Sequence, residues 1–231
     1  MAEDNDKTRL AAASAAAWDR LYGSTGESVW GAEPVAFLAE FLSSLGETLP
    51  RRSWVLDAGA GEGRNLGPLL GLGGRLCAVD YSSHALSKIA PALRRETAVV
   101  RADLAAMPFA AGCFQAALLI DVIETMPDPN RVLAELHRLL APGGMLITNI
   151  PSEDDSVAGD DMTPATNDGF LYQGRFYFRF FSREAACGLL ESLGFAILRV
   201  SLHRWMEGPH PGFRGYPHEH VGWVLMAQKA P

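Results

Sequence analysis

The residues Asp57-Ala58-Gly59-Ala60-Gly61-Glu62-Gly63 stand directly after the apolar run Trp54-Val55-Leu56. Three glycines at alternate positions permit positive φ and let a ligand approach the backbone closely. A strand that enters such a turn and then a helix offers free N–H groups to a ligand. In open α/β sheets ligands bind at this place, the carboxyl end of a strand. The loop is not a dinucleotide fingerprint. G-x-G-x-x-G requires glycine at position 64, where this chain has Arg64.

Short apolar runs alternate with helical patterns around this loop. The segments 76–79, 98–100, 114–120 and 145–150 read as strands, and 65–72 and 83–94 as helices. Pro129 opens a helix striped by Val132, Leu133, Leu136, Leu139 and Leu140, followed by a turn at Pro142-Gly143-Gly144. Upstream, residues 1–6 read as loose and 8–22 as a helix. A second helix opens at Glu33-Pro34 and carries Phe37, Leu38, Phe41, Leu42 and Leu45. Ser182 caps a helix ending at Gly194. Strands at 195–202 and 221–227 follow, separated by a Pro/Gly/His-rich connection at 207–220. The alternation predicts an α/β fold built on parallel βαβ units.

The segment 151–181 breaks the rhythm. It begins with the acidic residues Glu153, Asp154, Asp155, Asp160 and Asp161, read as a solvated face, and then becomes densely aromatic. An insertion of this kind reads as a lid.

The chain has 231 residues, 48% hydrophobic and 20% charged, which excludes global disorder. Its net charge of −7 gives no long-range attraction to phosphate backbones, so nucleic acid is not an expected partner. No run approaches the roughly 18 apolar residues of a membrane span. The acidic N-terminus is unlike a secretory signal. Three widely spaced cysteines, Cys77, Cys113 and Cys187, suit reduced thiols. A cytoplasmic protein, monomeric or homodimeric, is expected.

Each remaining strand end delivers a carboxylate to the same edge: Asp80, 23 positions after Asp57, then Asp103 and Asp121. Asp80 is placed to accept hydrogen bonds from ribose hydroxyls. Asp103 suits an exocyclic amine, with Leu104 against a purine face.

The chain resembles the class I S-adenosylmethionine-dependent methyltransferases of the small-molecule, type 11-like kind. The similar segments are VLDAGAGEG at 55–63, AVDYS at 78–82, RADLAAMPFAAGCFQAAL at 101–118 and DVIETMPDPNRVLAELHRLLAPGGMLI at 121–147, with FFSREAACGLLESLGF at 180–195. The resemblance implies a Rossmann-like seven-stranded sheet of order 3-2-1-4-5-7-6, its last strand antiparallel, with helices on both faces. It divides the chain into an N-terminal helical cap (1–50) and a methyltransferase domain (51–231) with a lid insertion at 151–181. It implies S-adenosylmethionine as cofactor and S-adenosylhomocysteine as product. Gly59, Ala60 and Gly61 would approach the methionine part, and Asp57 would fix the loop or reach the amine. Asp80 would bind the ribose with Tyr81 beside the adenosine, Asp103 and Leu104 would hold the adenine, and the Asp121 backbone would line the methionine side. The segment from Trp18 to Gly31 looks like a cofactor-covering element.

Missing motifs narrow the acceptor. The place after the fourth strand reads Asp121-Val122-Ile123-Glu124, neither the Asn/Asp-Pro-Pro-aromatic run of adenine amino-methylases nor a cysteine nucleophile. A small molecule, methylated on oxygen, nitrogen or sulfur, is the expected acceptor. Its pocket is expected from Tyr22, Trp30, Tyr172, Tyr177, Arg179 and Trp205, with Trp18 and the 210–220 loop nearby. His203 is the candidate general base. His218 and His220 share one strand face and with His203 offer metal-ligand chemistry. The carboxylate nearest them in sequence, Glu219, points the other way, so no metal is expected. Glu62 and Arg64 read as solvated flanks of the loop. The rival readings are a cofactor-binding protein of this fold without methyl transfer, a methyltransferase acting on protein or RNA, and a nucleotide-dependent oxidoreductase.

Overall fold

The computed structural model describes residues 2–50, 52–159 and 161–230, without the side chains of 2–5, 47 and 48; Asp160 of the acidic run lies outside the described residues. In chain order the strands are β1 (Trp54–Ala58), β2 (Arg75–Asp80), β3 (Thr97–Arg101), β4 (Phe114–Leu119), β5 (Leu140–Pro151), β6 (Met162–Pro164), β7 (Phe170–Tyr172), β8 (Phe176–Phe178), β9 (Phe195–Glu207) and β10 (His218–Lys229). The helices are α1 (Ala2–Ser24), α2 (Leu38–Thr48), α3 (Leu66–Leu70), α4 (Ser83–Ser87), α5 (Pro91–Glu96), α6 (Pro129–Leu139) and α7 (Arg183–Glu191).

Seven strands form one sheet in the order β3-β2-β1-β4-β5-β10-β9. The first five pair in parallel, and β10 is antiparallel to both β5 and β9. This is the order that the family resemblance implies.

Side chains alternate across the sheet with the period of two that a pleated strand imposes. Leu56, Cys77, Val79, Ala117, Leu119, Leu146 and Leu225 pack on one face against Val132, Leu133 and Leu136 of α6 and Ala186 and Leu190 of α7. Val55, Leu76, Ala78, Ala116, Leu118, Ile147 and Val224 pack on the other, against Leu38, Phe41 and Leu45 of α2 and Leu66 and Leu69 of α3. A third cluster joins α1 to the insertion through Ala17, Leu21, Tyr22, Tyr172, Phe176 and Phe213. The strands β6, β7 and β8 form a separate three-stranded sheet.

Several boundaries differ from the sequence reading. Residues 1–6, expected as loose, are helical from Ala2. The segment 83–94, expected as one helix, is two, because Pro91 forces extended backbone on Ala90 (ψ 136°) and then serves as a first-turn residue of α5. α2 begins at Leu38 rather than at Pro34, and the Val35 N–H donates to Asn65 Oδ1 instead (3.2 Å). The turn expected at 142–144 is a bulge inside β5, where the register slips between Phe114↔Leu140 and Ala116↔Met145. β9 and β10 run well past their expected ends, to Glu207 and back to His218, and their register sets these two residues opposite each other.

Candidate active site

A cavity of about 750 Å³ opens at the carboxyl ends of β1, β2, β4 and β5, under α1 and the insertion. Its size suits a nucleoside ligand together with a second small molecule.

One end is the glycine loop. Gly59 and Ala60 donate their N–H groups to Val79 O (2.8 and 3.0 Å), folding the turn onto β2. Gly59 has φ +78°, and a Cβ there would stand 2.4 Å from Val122 Cγ2, so only glycine fits. The Asp80 carboxylate accepts from Gly61 N and Ser82 N, both at 2.8 Å. Burial raises its pKa, and the backbone donors act against the rise. Gly59, Ala60, Gly61, Asp80, Tyr81, Asp103, Leu104 and Asp121 all line the cavity. Asp57 does not line it. It is buried beneath the loop with Oδ2 unpartnered, and burial, with the charge of Asp80, pushes its pKa to about 7.

Asp121 has φ +56°, a region that non-glycine residues seldom adopt. Its N–H donates to Asn149 Oδ1 (2.7 Å), Asn149 Nδ2 donates back to Oδ1 (2.6 Å), and Arg64 donates to Oδ2 (2.5 Å). The same guanidinium donates to Glu207 Oε1 (3.1 Å). Burial opposes the charge on Arg64, and the two carboxylates outweigh it. Glu62 is equally engaged: it accepts from Ser28 Oγ and Val29 N (2.6 and 2.8 Å) and pairs with Lys88 (3.0 Å). The reading of Glu62 and Arg64 as solvated flanks is therefore corrected. Glu62 ties the 28–30 segment over the loop, and Arg64 joins the loop to β9.

The other end is formed by separate segments: Trp18 and Trp30 from the N-terminal region, Phe178 and Phe180 from the insertion, and Trp205, Glu207, Phe213, Arg214, His218 and His220 from the C-terminal region. Tyr22 sits between the ends, its hydroxyl accepting from Trp30 Nε1 (2.8 Å) and lying over Gly61.

Besides Asp57, four expected site residues do not line the cavity. His203 hydrogen-bonds Ser201 (2.9 Å) and packs on Phe37 and Phe41, because its position on β9 turns it toward α2. The base role is withdrawn for it. Tyr172 is buried between Phe213 and Arg214, joining the insertion to the 213–214 loop. Tyr177 is buried with its hydroxyl on Thr166 (3.2 Å). Arg179 pairs with Asp168 (2.7 Å) over the Phe181 ring.

Other lining residues carry chemistry that sequence reasoning passed over. Glu124 is buried with Oε2 unpartnered, and burial plus the Asp121 charge raises its pKa well above the usual range. Asp155, read as part of a solvated acidic face, is buried and accepts from Val221 N (2.9 Å) and His220 Nδ1 (3.1 Å). Burial would raise the Glu207 pKa, yet His210, Arg64 and His220 hold it below the usual carboxylate range. His203 does not join His218 and His220, since its ring packs on Phe37 and Phe41. Glu207, His210 and His218 converge instead, with one donor atom of each within 4.8 Å of the others.

The loop and its carboxylates fit a sulfonium nucleoside: Gly59 and Gly61 border the space with backbone and no side chain, and the carboxylates Asp80, Asp103 and Asp121 line it. Among the described residues no helix is long and apolar enough to cross a membrane.

The methyltransferase-domain family model matches residues 56–148. A demethylmenaquinone methyltransferase of Renibacterium salmoninarum is 32% identical over 40% of this chain and 39% of its own length. An uncharacterized methyltransferase of Mycobacterium sp. (strain JLS) is 29% identical over 92% of this chain and 81% of its own. The chain is similar in fold to Burkholderia thailandensis 1,6-didemethyltoxoflavin-N1-methyltransferase, solved with its substrate and S-adenosylhomocysteine. The TM-score is 0.61 at 23% identity, covering 84% of this chain and 76% of that one.

Proposed function

We propose that this chain, which belongs to the class I S-adenosylmethionine-dependent methyltransferases, methylates an oxygen, nitrogen or sulfur atom of a small-molecule acceptor. The observation that carries the reading is a single cavity with the glycine loop and carboxylates at one end and an aromatic, histidine-bearing lining at the other. When bound, S-adenosylmethionine supplies a methyl group on a sulfonium centre, open to direct in-line displacement.

The residues of the chain bind, orient and exclude water. Gly59, Ala60 and Gly61 admit the methionine part to the backbone, and the Asp121 backbone borders it. Asp80 accepts from the ribose hydroxyls, with Tyr81 beside the adenosine. Asp103 accepts from the adenine amine, with Leu104 on the ring face. Asp57 acts from below the loop, holding its shape. The cap, whose α1 and 28–30 segment close one side, and the lid insertion, through Phe178 and Phe180, keep water from the acceptor. Tyr22, Trp30 and Trp205 offer ring surface to a planar or apolar acceptor. The acidic charge and the enclosed cavity support a cytoplasmic enzyme for small molecules rather than for nucleic acid.

Calorimetric titration with S-adenosylmethionine and S-adenosylhomocysteine tests the cofactor end. Micromolar binding that collapses in Asp80→Ala is the expected result. Formation of S-adenosylhomocysteine in a screen of small hydroxyl, amine and thiol compounds tests the acceptor. Turnover confined to protein or RNA substrates would overturn the small-molecule reading.

A further inference from the structure

The connection between β9 and β10 returns a carboxylate and three imidazoles to one point. Glu207 and His218 are direct partners in the antiparallel register, and His220 faces Trp205 two pairs along. His210 comes back through the 208–217 loop, with its N–H and Arg214 O closing the bridge (2.5 Å). The rings of His210 and His218 lie 5.0 Å apart, and those of His218 and His220 4.7 Å apart.

The hydrogen bonds of these rings share one pattern. His210 Nδ1 faces Val29 O (3.1 Å), His218 Nδ1 faces Tyr216 O (3.0 Å) and His220 Nδ1 faces Asp155 Oδ2 (3.1 Å). An oxygen acceptor at Nδ1 keeps the proton there and leaves the lone pair on Nε2, the arrangement by which outer partners orient metal-binding histidines. His210 Nε2 then stands 2.9 Å from Glu207 Oε2, and His220 Nε2 3.9 Å from the same oxygen. His218 Nε2 is buried with no partner, on a residue only 5% exposed. A buried polar atom without a partner is costly and asks for a ligand.

Glu207 divides its two oxygens between roles. Oε1 accepts from Arg64 and from Trp205 Nε1 (3.3 Å), which fixes the carboxylate. Oε2 is turned to the imidazoles. Three carboxylates, Asp155, Asp121 and Glu207, act on His220, while Arg64 and Arg214 are the neighbouring cations.

We propose that Glu207, His210 and His218 bind a divalent zinc-class metal ion at the acceptor end of the cavity, with His220 at the edge of the site. Imidazole with carboxylate is a donor set that suits zinc. Donor atoms around tetrahedral zinc lie roughly 3.4 Å apart, so atoms already within 4.8 Å of one another close onto an ion by small side-chain rotations. Three protein ligands leave a fourth position, and Glu207 and His218 both line the cavity, so that position opens toward the acceptor. The ion would hold an acceptor carrying an oxygen or nitrogen donor. That last consequence rests on the methyl-transfer reading; the metal site does not.

The test uses the full chain, stripped with a chelator and titrated with zinc alone and cobalt(II) alone. The expected result is one saturable equivalent, with visible d–d bands for cobalt. Zinc at a hundredfold excess over its Kd would raise Tm by roughly 5–10 °C. His218→Ala would weaken binding at least tenfold, whereas His203→Ala, on the neighbouring strand β9 with its ring on Phe37 and Phe41, would leave it unchanged. If His218→Ala does not fold, His210→Ala and the cobalt spectrum of the unaltered chain decide. No saturable binding below millimolar metal, or equal affinity in the His218 and His203 variants, would overturn the site and leave a His210–Glu207 ion pair as its purpose. S-adenosylmethionine titration in parallel reads only the glycine-loop end, so failure of the metal site and failure of methyl transfer are separable.

Discussion

At the glycine loop, the cavity is walled by residues that follow one another at strand ends: the 59–65 stretch after β1, 80–82 at the end of β2, 103–105 after β3 and the 120–124 stretch after β4. At the histidine end the wall is collected from α1, the 30 and 155 regions, the insertion, the end of β9 and the start of β10. The first end is shaped mostly by backbone, with N–H groups of Gly61 and Ser82 on Asp80 and a glycine where any Cβ would strike Val122. The second is shaped by side chains that depend on distant partners, such as Asp155 on His220 and Arg64 on Glu207. On the proposed reading, the shared cofactor would meet local backbone geometry and the acceptor would meet assembled side chains.

Arg64 reaches from the glycine loop to a carboxylate at each end, so its loss should break the contrast. Arg64→Met takes the guanidinium from the half-buried Asp121 and the mostly buried Glu207. Unfolding in urea should show a loss of about 3–5 kcal/mol, the usual cost of breaking a buried pair.

Asp57 sharpens the loop side through pH. Its pKa stands near 7 in the folded chain against 3.8 for a free carboxyl, so the folded state holds the proton more tightly. Its contribution is complete below the unfolded value and is lost as pH rises through about 7. Stability should decline between pH 4 and 7 by an amount on the order of a few kcal/mol, and the decline should be smaller in Asp57→Asn. An unchanged slope in the variant would mean that other groups carry it.

Asp80→Ala should act on one end alone. Cofactor affinity should fall about a hundredfold, near 2.7 kcal/mol, with zinc binding intact. Gly59→Ala should cost about 1–3 kcal/mol of stability, read from Tm, and weaken cofactor binding, because φ +78° and Val122 both reject a Cβ. His203→Ala should be the smallest change, under about 1 kcal/mol and with cofactor binding unaltered, since the ring packs on α2 away from both ends. A large loss of turnover in that variant would restore His203 to the site.

The alternation of apolar runs determined the sheet and its helices, because a strand buried on both faces and a helix with one apolar stripe each write their period into neighbouring residues. The spacing of Asp57, Gly59, Gly61, Asp80, Asp103 and Asp121 marked out the glycine-loop end, because each stands in or within three residues of the carboxyl end of a strand. Only the tertiary structure decided the rest. Tyr172, Tyr177 and Arg179 have the composition of a pocket wall, but Tyr172 joins the insertion to Phe213 while Tyr177 and Arg179 tie the insertion to its own Thr166 and Asp168. Arg64 carries the charge of a surface residue and is buried between two carboxylates. His218 stood near Glu219 in sequence, while its carboxylate is Glu207, brought opposite by an antiparallel register in strands longer than their apolar cores indicate. Burial patterns are local and can be read along a chain; the pairing of polar side chains across strands and segments depends on register and approach, which exist only once the chain has closed on itself.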